Sequence, residues 1–162
     1  ILTPHHGEAA RLLTQLGSPR SRADIDANPA ASAKELASLT GAIILLKSST
    51  TLCSYLHHDQ GNRTQEIFSI PQETPWAGVA GSGDVRAGTV AGITAGFQAR
   101  AERRQGNPSI SEAECASLAS LGAWVHAQAA FRASVSSEGH AHPIQAIDIA
   151  RALPEIIGGL CS

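Results

Sequence analysis

The chain has 162 residues, and its 12 Lys and Arg against 14 Asp and Glu leave a formal net charge of −2. This length fits a single domain over residues 1–162 with a core of its own. The near-neutral charge, with no basic run longer than Arg103-Arg104, argues against nucleic acid and anionic membranes as partners. No apolar run has transmembrane length and no signal peptide is visible, so we expect a cytoplasmic protein.

The beginning of the chain predicts a strand, a helix and a loop. Ile1–Thr3 is a short apolar run that predicts a buried strand. From Glu8 the apolar residues follow helical spacing, and Gly17 ends the helix. Residues 18–27 are polar and predict a loop.

The middle of the chain predicts a helix followed by three strands. Asn28, as an N-cap before a proline, begins a helix that Gly41 ends. Residues 42–46 form a continuous apolar run, as expected of a strand buried on both faces. Residues 52–56 and 67–70 predict two further strands.

The rest of the chain predicts helices. A long helix ends at residues 106–108, and the next begins at Ser111, with Glu114 completing a capping box. A last helix covers 144–157 and is kinked or interrupted at Pro154. Strands alternating with helices, followed by more helices, predict an α/β fold with a largely parallel sheet.

A glycine-rich loop before the long helix is the first candidate site. Gly81, Ser82 and Gly83 let the backbone approach a ligand, and the free N–H groups of the helix start form an anion hole. Asp84 follows directly, where a carboxylate repels phosphate but makes sense as a base for an attacking hydroxyl. A simple helix cap at Asp84 is an equal alternative.

Other polar residues follow the predicted strands. Lys47 ends the most buried strand, where α/β sheets bind ligands, and Ser48, Ser49, Thr50 and Thr51 add hydroxyls. Taken alone, Lys47 is better explained as a solvated residue of an ordinary turn. His5 follows the first strand and is a candidate substrate contact. The paired histidines and the cysteines lack ligand spacing, so we predict no metal site. Trp124 and His126 are predicted to pack in a helix interface.

Three segments in order resemble one known family. They are residues 2–8 (Leu-Thr-Pro-His-His-Gly-Glu), 44–51 (Ile-Leu-Leu-Lys-Ser-Ser-Thr-Thr) and 80–88 (Ala-Gly-Ser-Gly-Asp-Val-Arg-Ala-Gly). The nucleotide-dependent NAD(P)H-hydrate dehydratases, of the ribokinase-like superfamily, have similar Thr-Pro-His-Pro-Gly-Glu, Leu-Lys-Gly-x-x-Thr and Gly-Ser-Gly-Asp-Val-Leu-Ala-Gly segments.

The resemblance implies a fold, a reaction and roles for residues. The fold is a ribokinase-like three-layer α/β/α sandwich. Hydrated NAD(P)H (NAD(P)HX) is phosphorylated on its ring hydroxyl by ADP or ATP with Mg²⁺, and loss of phosphate restores the dinucleotide. By position, His5 contacts the hydrated dinucleotide, residues 47–51 and Gly83 hold the adenine nucleotide, and Asp84 touches the substrate hydroxyl and acts as base.

The chain departs from the family pattern at four positions. His6 replaces a Pro, Ser48 a Gly, Val79 a Thr and Arg86 a Leu. Arg86 either pairs with phosphate or crowds the helix packing. These changes bear on rate and nucleotide choice more than on fold.

The family's domain also has elements before the Thr-Pro-His segment, so we expect a C-terminal part of a longer domain that is inactive alone. An unpaired strand edge would then favour a homo-oligomer. Two alternatives are a non-catalytic adenine-nucleotide-binding remnant and a ribokinase-like sugar or vitamin kinase.

Overall fold

A computed structural model describes residues 1–59, 62–105 and 110–160 of the chain. Within those ranges six α-helices and three β-strands follow one another, with a 3₁₀ turn at Pro75–Ala77 between the last strand and the fourth helix. Their bounds are α1 His6–Gln15, α2 Arg22–Ala27, α3 Pro29–Thr40, β1 Ile44–Leu46, β2 Thr50–Asp59, β3 Asn62–Pro71, α4 Ser82–Gln105, α5 Glu112–Ala133 and α6 Ala146–Leu160.

The sheet has the strand order β1-β2-β3, and both pairings are antiparallel. The prediction of a largely parallel sheet is therefore wrong for the described strands. The physical reason is the connection length, because three residues between β1 and β2 allow only a return, whereas a parallel crossover needs a dozen or more. Parallel pairing occurs here as two isolated bridges, Leu2 with Ile44 and His5 with Lys47.

Helices cover both faces of this sheet. Neighbouring residues of β1 point to opposite faces. Ile44 and Leu46 pack with the apolar side chains of α1, α2 and α3, and Leu45 packs with Val90 of α4 and the alanines of α5. The chain thus forms helix, sheet and helix layers, with α6 packed outside α5 through Ile149.

Capping residues set most helix ends. The helix that starts after Asn28 is confirmed, and Gly41 ends it at a φ of 66°, in the left-handed region that glycine favours. The Ser111 and Glu114 capping box at the start of α5 is also confirmed. The predicted helix end at residues 106–108 lies outside the described residues.

Two helices differ from the prediction. Residues 18–27 were expected to be a loop, but α2 forms within them, because Ser21 and Asp24 make reciprocal backbone hydrogen bonds as a capping box. The helix α6 continues through Pro154 to Leu160, so the proline does not interrupt it. Within the described residues, no helix combines the length and the apolar character needed to cross a membrane.

The helices α4 and α5 approach closely at Gly122. A Cβ added to Gly122 would lie 2.8 Å from both Cα and Cγ2 of Val90, which is nearer than real Cβ contacts. The helix pair behind the sheet therefore depends on the absence of a side chain at this position.

Replacing Gly122 with Ala should lower the free energy of unfolding by about 1–3 kcal/mol, the usual cost of overpacking a close interface. Gly96→Ala is the matched control, because Gly96 is a helical glycine of α4 whose added Cβ would meet nothing within 4 Å. This control should gain about 0.5–1 kcal/mol from helix propensity alone. Urea denaturation measures the free energy of unfolding of both variants, and equal changes would contradict the close approach of α4 and α5 at Gly122.

Candidate functional site

A cleft of about 770 Å³ opens where the N-terminal segment at His5, the end of β1 and the start of α4 meet. Its floor and walls come from His5, the residues after β1, the segment after β3 and the first turns of α4. The predicted site residues that line it are His5, Lys47, Ser48, Ser49, Ser82 and Gly83. The structure therefore brings residues from all three of the sequence segments into one place.

His5 and Glu8 are linked at the start of α1. The His5 N–H donates to Glu8 Oε2 at 2.7 Å, and His5 Nδ1 accepts from the Glu8 N–H at 3.1 Å. The hydrogen bond from the His5 N–H, followed by the charge of Lys47, holds the pKa of Glu8 below its ordinary value. The carboxylate consequently stays ionised, and it lies 3.5 Å from Lys47 Nζ.

Lys47 also reaches the start of α4. A Cβ built on Gly83 would lie 3.2 Å from Lys47 Nζ, so the ammonium group sits directly over the backbone of this glycine. Among the described residues the Gly83 N–H has no acceptor, whereas the Ser82 N–H donates to the Val79 carbonyl at 3.2 Å. Lys47 Nζ and the Gly83 N–H thus form a pair of donors suited to an anion.

The other residues of the predicted anion hole and base lie outside this pair. Gly81 is exposed with a φ of 84°, and its carbonyl accepts from the N–H groups of Asp84 and Val85. Asp84 is exposed in the first turn of α4 and does not line the cleft. Since α4 begins at Ser82, Asp84 is not its N-cap either, although the helix dipole favours a carboxylate in the first turn.

The two threonines of the predicted nucleotide loop belong to β2. Thr50 is exposed, and Thr51 is buried, with 2% of its surface accessible. Neither lines the cleft. Thr51 instead accepts a hydrogen bond from Nη1 of Arg86 at 2.9 Å, so it supports a residue that does line the cleft.

A buried polar network behind the cleft was not predicted from the sequence. Arg86 is only 4% exposed, and its Nε donates to Nδ1 of His126 at 3.4 Å. Ser82 Oγ lies 3.4 Å from Nε2 of the same imidazole. Burial lowers the pKa of Arg86, and burial followed by the Arg86 charge lowers the pKa of His126 to about 4.

His126 is fully buried, as its predicted place in a helix interface requires. It also accepts a hydrogen bond from Arg86, which was not predicted from the sequence. Trp124 does pack beside the core cluster between α5 and the sheet. The signal for the network was present in the four-residue spacing of Ser82, Arg86 and Val90. That spacing places all three on one helical face, the face that packs against α5.

Histidine pairs do not form ligand sets. The ring of His5 bonds the start of α1, whereas Nδ1 of His6 bonds Asp26 of α2. In the part of the chain that the structure describes, no three His, Cys, Asp or Glu side chains are placed to hold a metal ion. The absence of a tightly bound transition metal stays a prediction.

Comparison with known proteins identifies the family. The family model described as NAD(P)H-hydrate dehydratase matches residues 1–153. The chain belongs to this family. The resemblance seen in the three sequence segments is therefore confirmed.

Two relatives of the family have described activities. The chain is 33% identical over 130 residues, 80% of its length, to the ADP-dependent (S)-NAD(P)H-hydrate dehydratase of Neisseria meningitidis. It is 35% identical over 95 residues, 59% of its length, to a bifunctional NAD(P)H-hydrate repair enzyme of Mycobacterium tuberculosis. These matches cover 35% and 17% of the two relatives, so the chain spans about a third or less of their lengths.

Solved structures share the fold. The ADP/ATP-dependent NAD(P)H-hydrate dehydratase of Bacillus subtilis, co-crystallised with ATP and Mg²⁺, superposes on 98% of the chain with a TM-score of 0.66 at 20% identity. The Bacillus subtilis protein YxkO, described as a putative kinase, gives a TM-score of 0.68 at 20% identity over the same share of the chain. The match covers 47% and 48% of these two structures. The α/β fold of the family is thus confirmed, over about half of the domain that those structures contain.

The depressed pKa of His126 makes the stability of the protein depend on pH. An unfolded His takes up its proton near pH 6.5, but the folded protein resists doing so until about pH 4. The free energy of unfolding should therefore fall as the pH decreases through this window, by about 2 kcal/mol between pH 7 and 5. Carboxylates contribute little in that range because they remain ionised.

Urea denaturation at pH 7 and 5 checks this pH dependence. In His126→Gln the loss should largely disappear, whereas His140→Gln, which changes an exposed histidine, should keep it. Direct titration of the His126 ring by NMR is the second measurement. A ring pKa near 6.5 would contradict the buried neutral imidazole.

Proposed function

We propose that the whole protein is a nucleotide-dependent NAD(P)H-hydrate dehydratase that repairs hydrated nicotinamide dinucleotides. The observation that carries this proposal is the meeting of Lys47 Nζ with the backbone of Gly83 in a cleft. Two segments of the family pattern supply these groups, and the His5 segment forms the adjoining wall. The family membership and the N. meningitidis relative give the reaction class.

The cleft fits the phosphates of an adenine nucleotide. Arg22, Lys47 and Arg86 contribute positive charge, and Glu73 is the carboxylate among the described lining residues. Gly83 leaves its N–H accessible next to the ammonium group, where a side chain would crowd it. We infer that ADP or ATP is the co-substrate and that Ser48 and Ser49 line its approach.

Mg²⁺ would supply charge neutralisation between the phosphates when the nucleotide is bound. The described residues offer no cluster of three His, Cys, Asp or Glu for it. This fits an ion that is bound mainly by phosphate oxygens and water and needs only one or two protein carboxylates.

The chemistry assigns Asp84 as the base. The ring hydroxyl of hydrated NAD(P)H gives its proton to the Asp84 carboxylate while its oxygen attacks the terminal phosphorus of the nucleotide, and the bond to the bridging oxygen breaks to release AMP from ADP or ADP from ATP. The C–O bond of the new phosphate ester then breaks to release inorganic phosphate, a proton leaves the adjacent ring carbon, and the double bond that forms restores the reduced nicotinamide ring. Because Asp84 lies outside the cleft, the hydrated ring approaches it from the open side of α4.

The exposed position of Asp84 also favours a second candidate. A non-catalytic nucleotide-binding protein would keep Lys47 and Gly83 in place and would have no need to enclose Asp84. This alternative predicts nucleotide binding without turnover by the full-length protein.

Asp84→Asn in the full-length protein should lower the turnover of hydrated NADH, with either ADP or ATP, by at least about 100-fold, because the base is lost. Nucleotide affinity should change by no more than a few-fold. Glu102→Gln is the matched control, an exposed acid near the other end of the same helix. Turnover of the Asn variant within a few-fold of the parent would remove Asp84 as base.

Lys47→Met should weaken ADP and ATP binding roughly 10-fold or more, since it removes a charge-assisted contact to phosphate. Lys34→Met changes the chain's other lysine, on α3, and should leave the affinity unchanged. Isothermal titration calorimetry gives both values. Unchanged affinity in the Lys47 variant would place the nucleotide elsewhere.

A further inference from the structure

Arg86 is a buried cation that has no counter-charge among the described residues. It is 4% exposed, and no carboxylate of the described residues lies within ion-pair distance of it. Its two hydrogen bonds go to neutral groups, the Thr51 hydroxyl through Nη1 and the His126 imidazole through Nε. Among the described residues the third nitrogen, Nη2, has no hydrogen-bond partner, and Arg86 lines the cleft.

Such an arrangement is unfavourable in the absence of an anion. A charge removed from water must be paired, or its burial costs stability. His126 does not provide the pairing, because the imidazole is neutral where it accepts from Nε, and the Arg86 charge itself opposes its protonation. An anionic ligand of the cleft would supply the missing negative charge.

The surroundings of the guanidinium specify the kind of ligand. Lys47 Nζ, the Gly83 N–H and the first turn of α4 contribute to the same cleft, and all three favour an anion. Glu73 lines the cleft too, and its Oε1 accepts from Gln128. Arg binds the oxygens of phosphate groups through its fork of N–H donors.

We propose that Arg86 is a phosphate-binding residue of this cleft, held in position by Thr51 and His126, and that it binds the same phosphate chain as Lys47 and Gly83. The identity of that chain as part of an adenine nucleotide rests on the proposed function, but the anion site does not. The family pattern has Leu where this chain has Arg86, so the contact between Arg86 and phosphate distinguishes this chain from relatives that follow the pattern. Arg86 contributes affinity for phosphate, and Thr51 and His126 are positioning residues.

The binding test compares three probes on the full-length protein: inorganic pyrophosphate, ADP and adenosine. Arg86→Leu should lower the affinity for pyrophosphate and for ADP by roughly 10- to 100-fold, the usual loss for a hydrogen bond to a charged group. Adenosine binding, which involves no phosphate, should stay within about two-fold. Arg132→Leu, in an exposed ion pair with Glu155, is the matched control and should change none of the three.

The outcomes separate this inference from the proposed function. If ADP and pyrophosphate bind equally well to wild type and Arg86→Leu, Arg86 is a structural residue and the inference is overturned, while a nucleotide-dependent reaction stands. If pyrophosphate binding depends on Arg86 but wild type does not bind ADP, the anion site stands and the nucleotide assignment fails. Equal losses for adenosine and pyrophosphate also overturn the inference.

A second measurement covers the case in which Arg86→Leu does not fold. In the wild-type protein, an anion at Arg86 changes the electric field on the adjacent His126 ring, so pyrophosphate should shift the ring NMR signals of His126 but not those of exposed His140. Thr51→Val, which keeps the side-chain shape and removes one acceptor, should weaken pyrophosphate binding several-fold. No shift at His126 at saturating pyrophosphate would overturn the inference.

Discussion

The parallel pairing of the first residues with the strand β1 is the constraint on which the site depends. The Leu2 N–H donates to Ile43, the Leu45 N–H to Leu2 and the Lys47 N–H to Pro4, each at 2.8 Å. This pairing aligns the two segments, so that His5 and Lys47 leave the sheet side by side. Because Ile44, Leu45 and Leu46 are fully buried between the helix layers, the direction of the strand and the position of Lys47 at its end are fixed together.

The charges at this end of the sheet are only partly balanced within the protein. Glu8 lies beside Lys47, and the His5 N–H that caps α1, followed by the charge of Lys47, lowers the pKa of this carboxylate. Arg86 has no such partner among the described residues. A phosphate ligand would therefore compete with Glu8 for Lys47 but not with a described carboxylate for Arg86, whereas the third cation of the cleft, Arg22, lies 3.8 Å from Asp26.

Local rules predicted much of this structure, and non-local packing determined the rest. The ends of α3 and the start of α5 follow from Asn28, Gly41 and the Ser111 capping box, which act within a few residues. The same rule at Ser21 and Asp24 would have predicted α2, had it been applied to a polar segment. The predicted strand direction was wrong because apolar runs do not indicate whether strands pair parallel or antiparallel. The three-residue connection after β1 does indicate it. The pairing of Arg86 with Thr51 and His126 joins three separate elements, and no sequence pattern states which elements meet.

The geometry of α4 separates the two halves of the proposed chemistry. Asp84 and Arg86 are two residues apart, which is about 200° around a helix, so the cleft that receives Arg86 does not receive Asp84. Gly83 lies next to Asp84 at the start of the helix and has no side chain, so ligands on both sides are able to approach the same short stretch of backbone. Phosphate held by Lys47 and Arg86 would then lie on one side of α4 and the hydrated ring on the other. Transfer between them requires both to meet at the N-terminus of α4, where the helix dipole stabilises the phosphate charge.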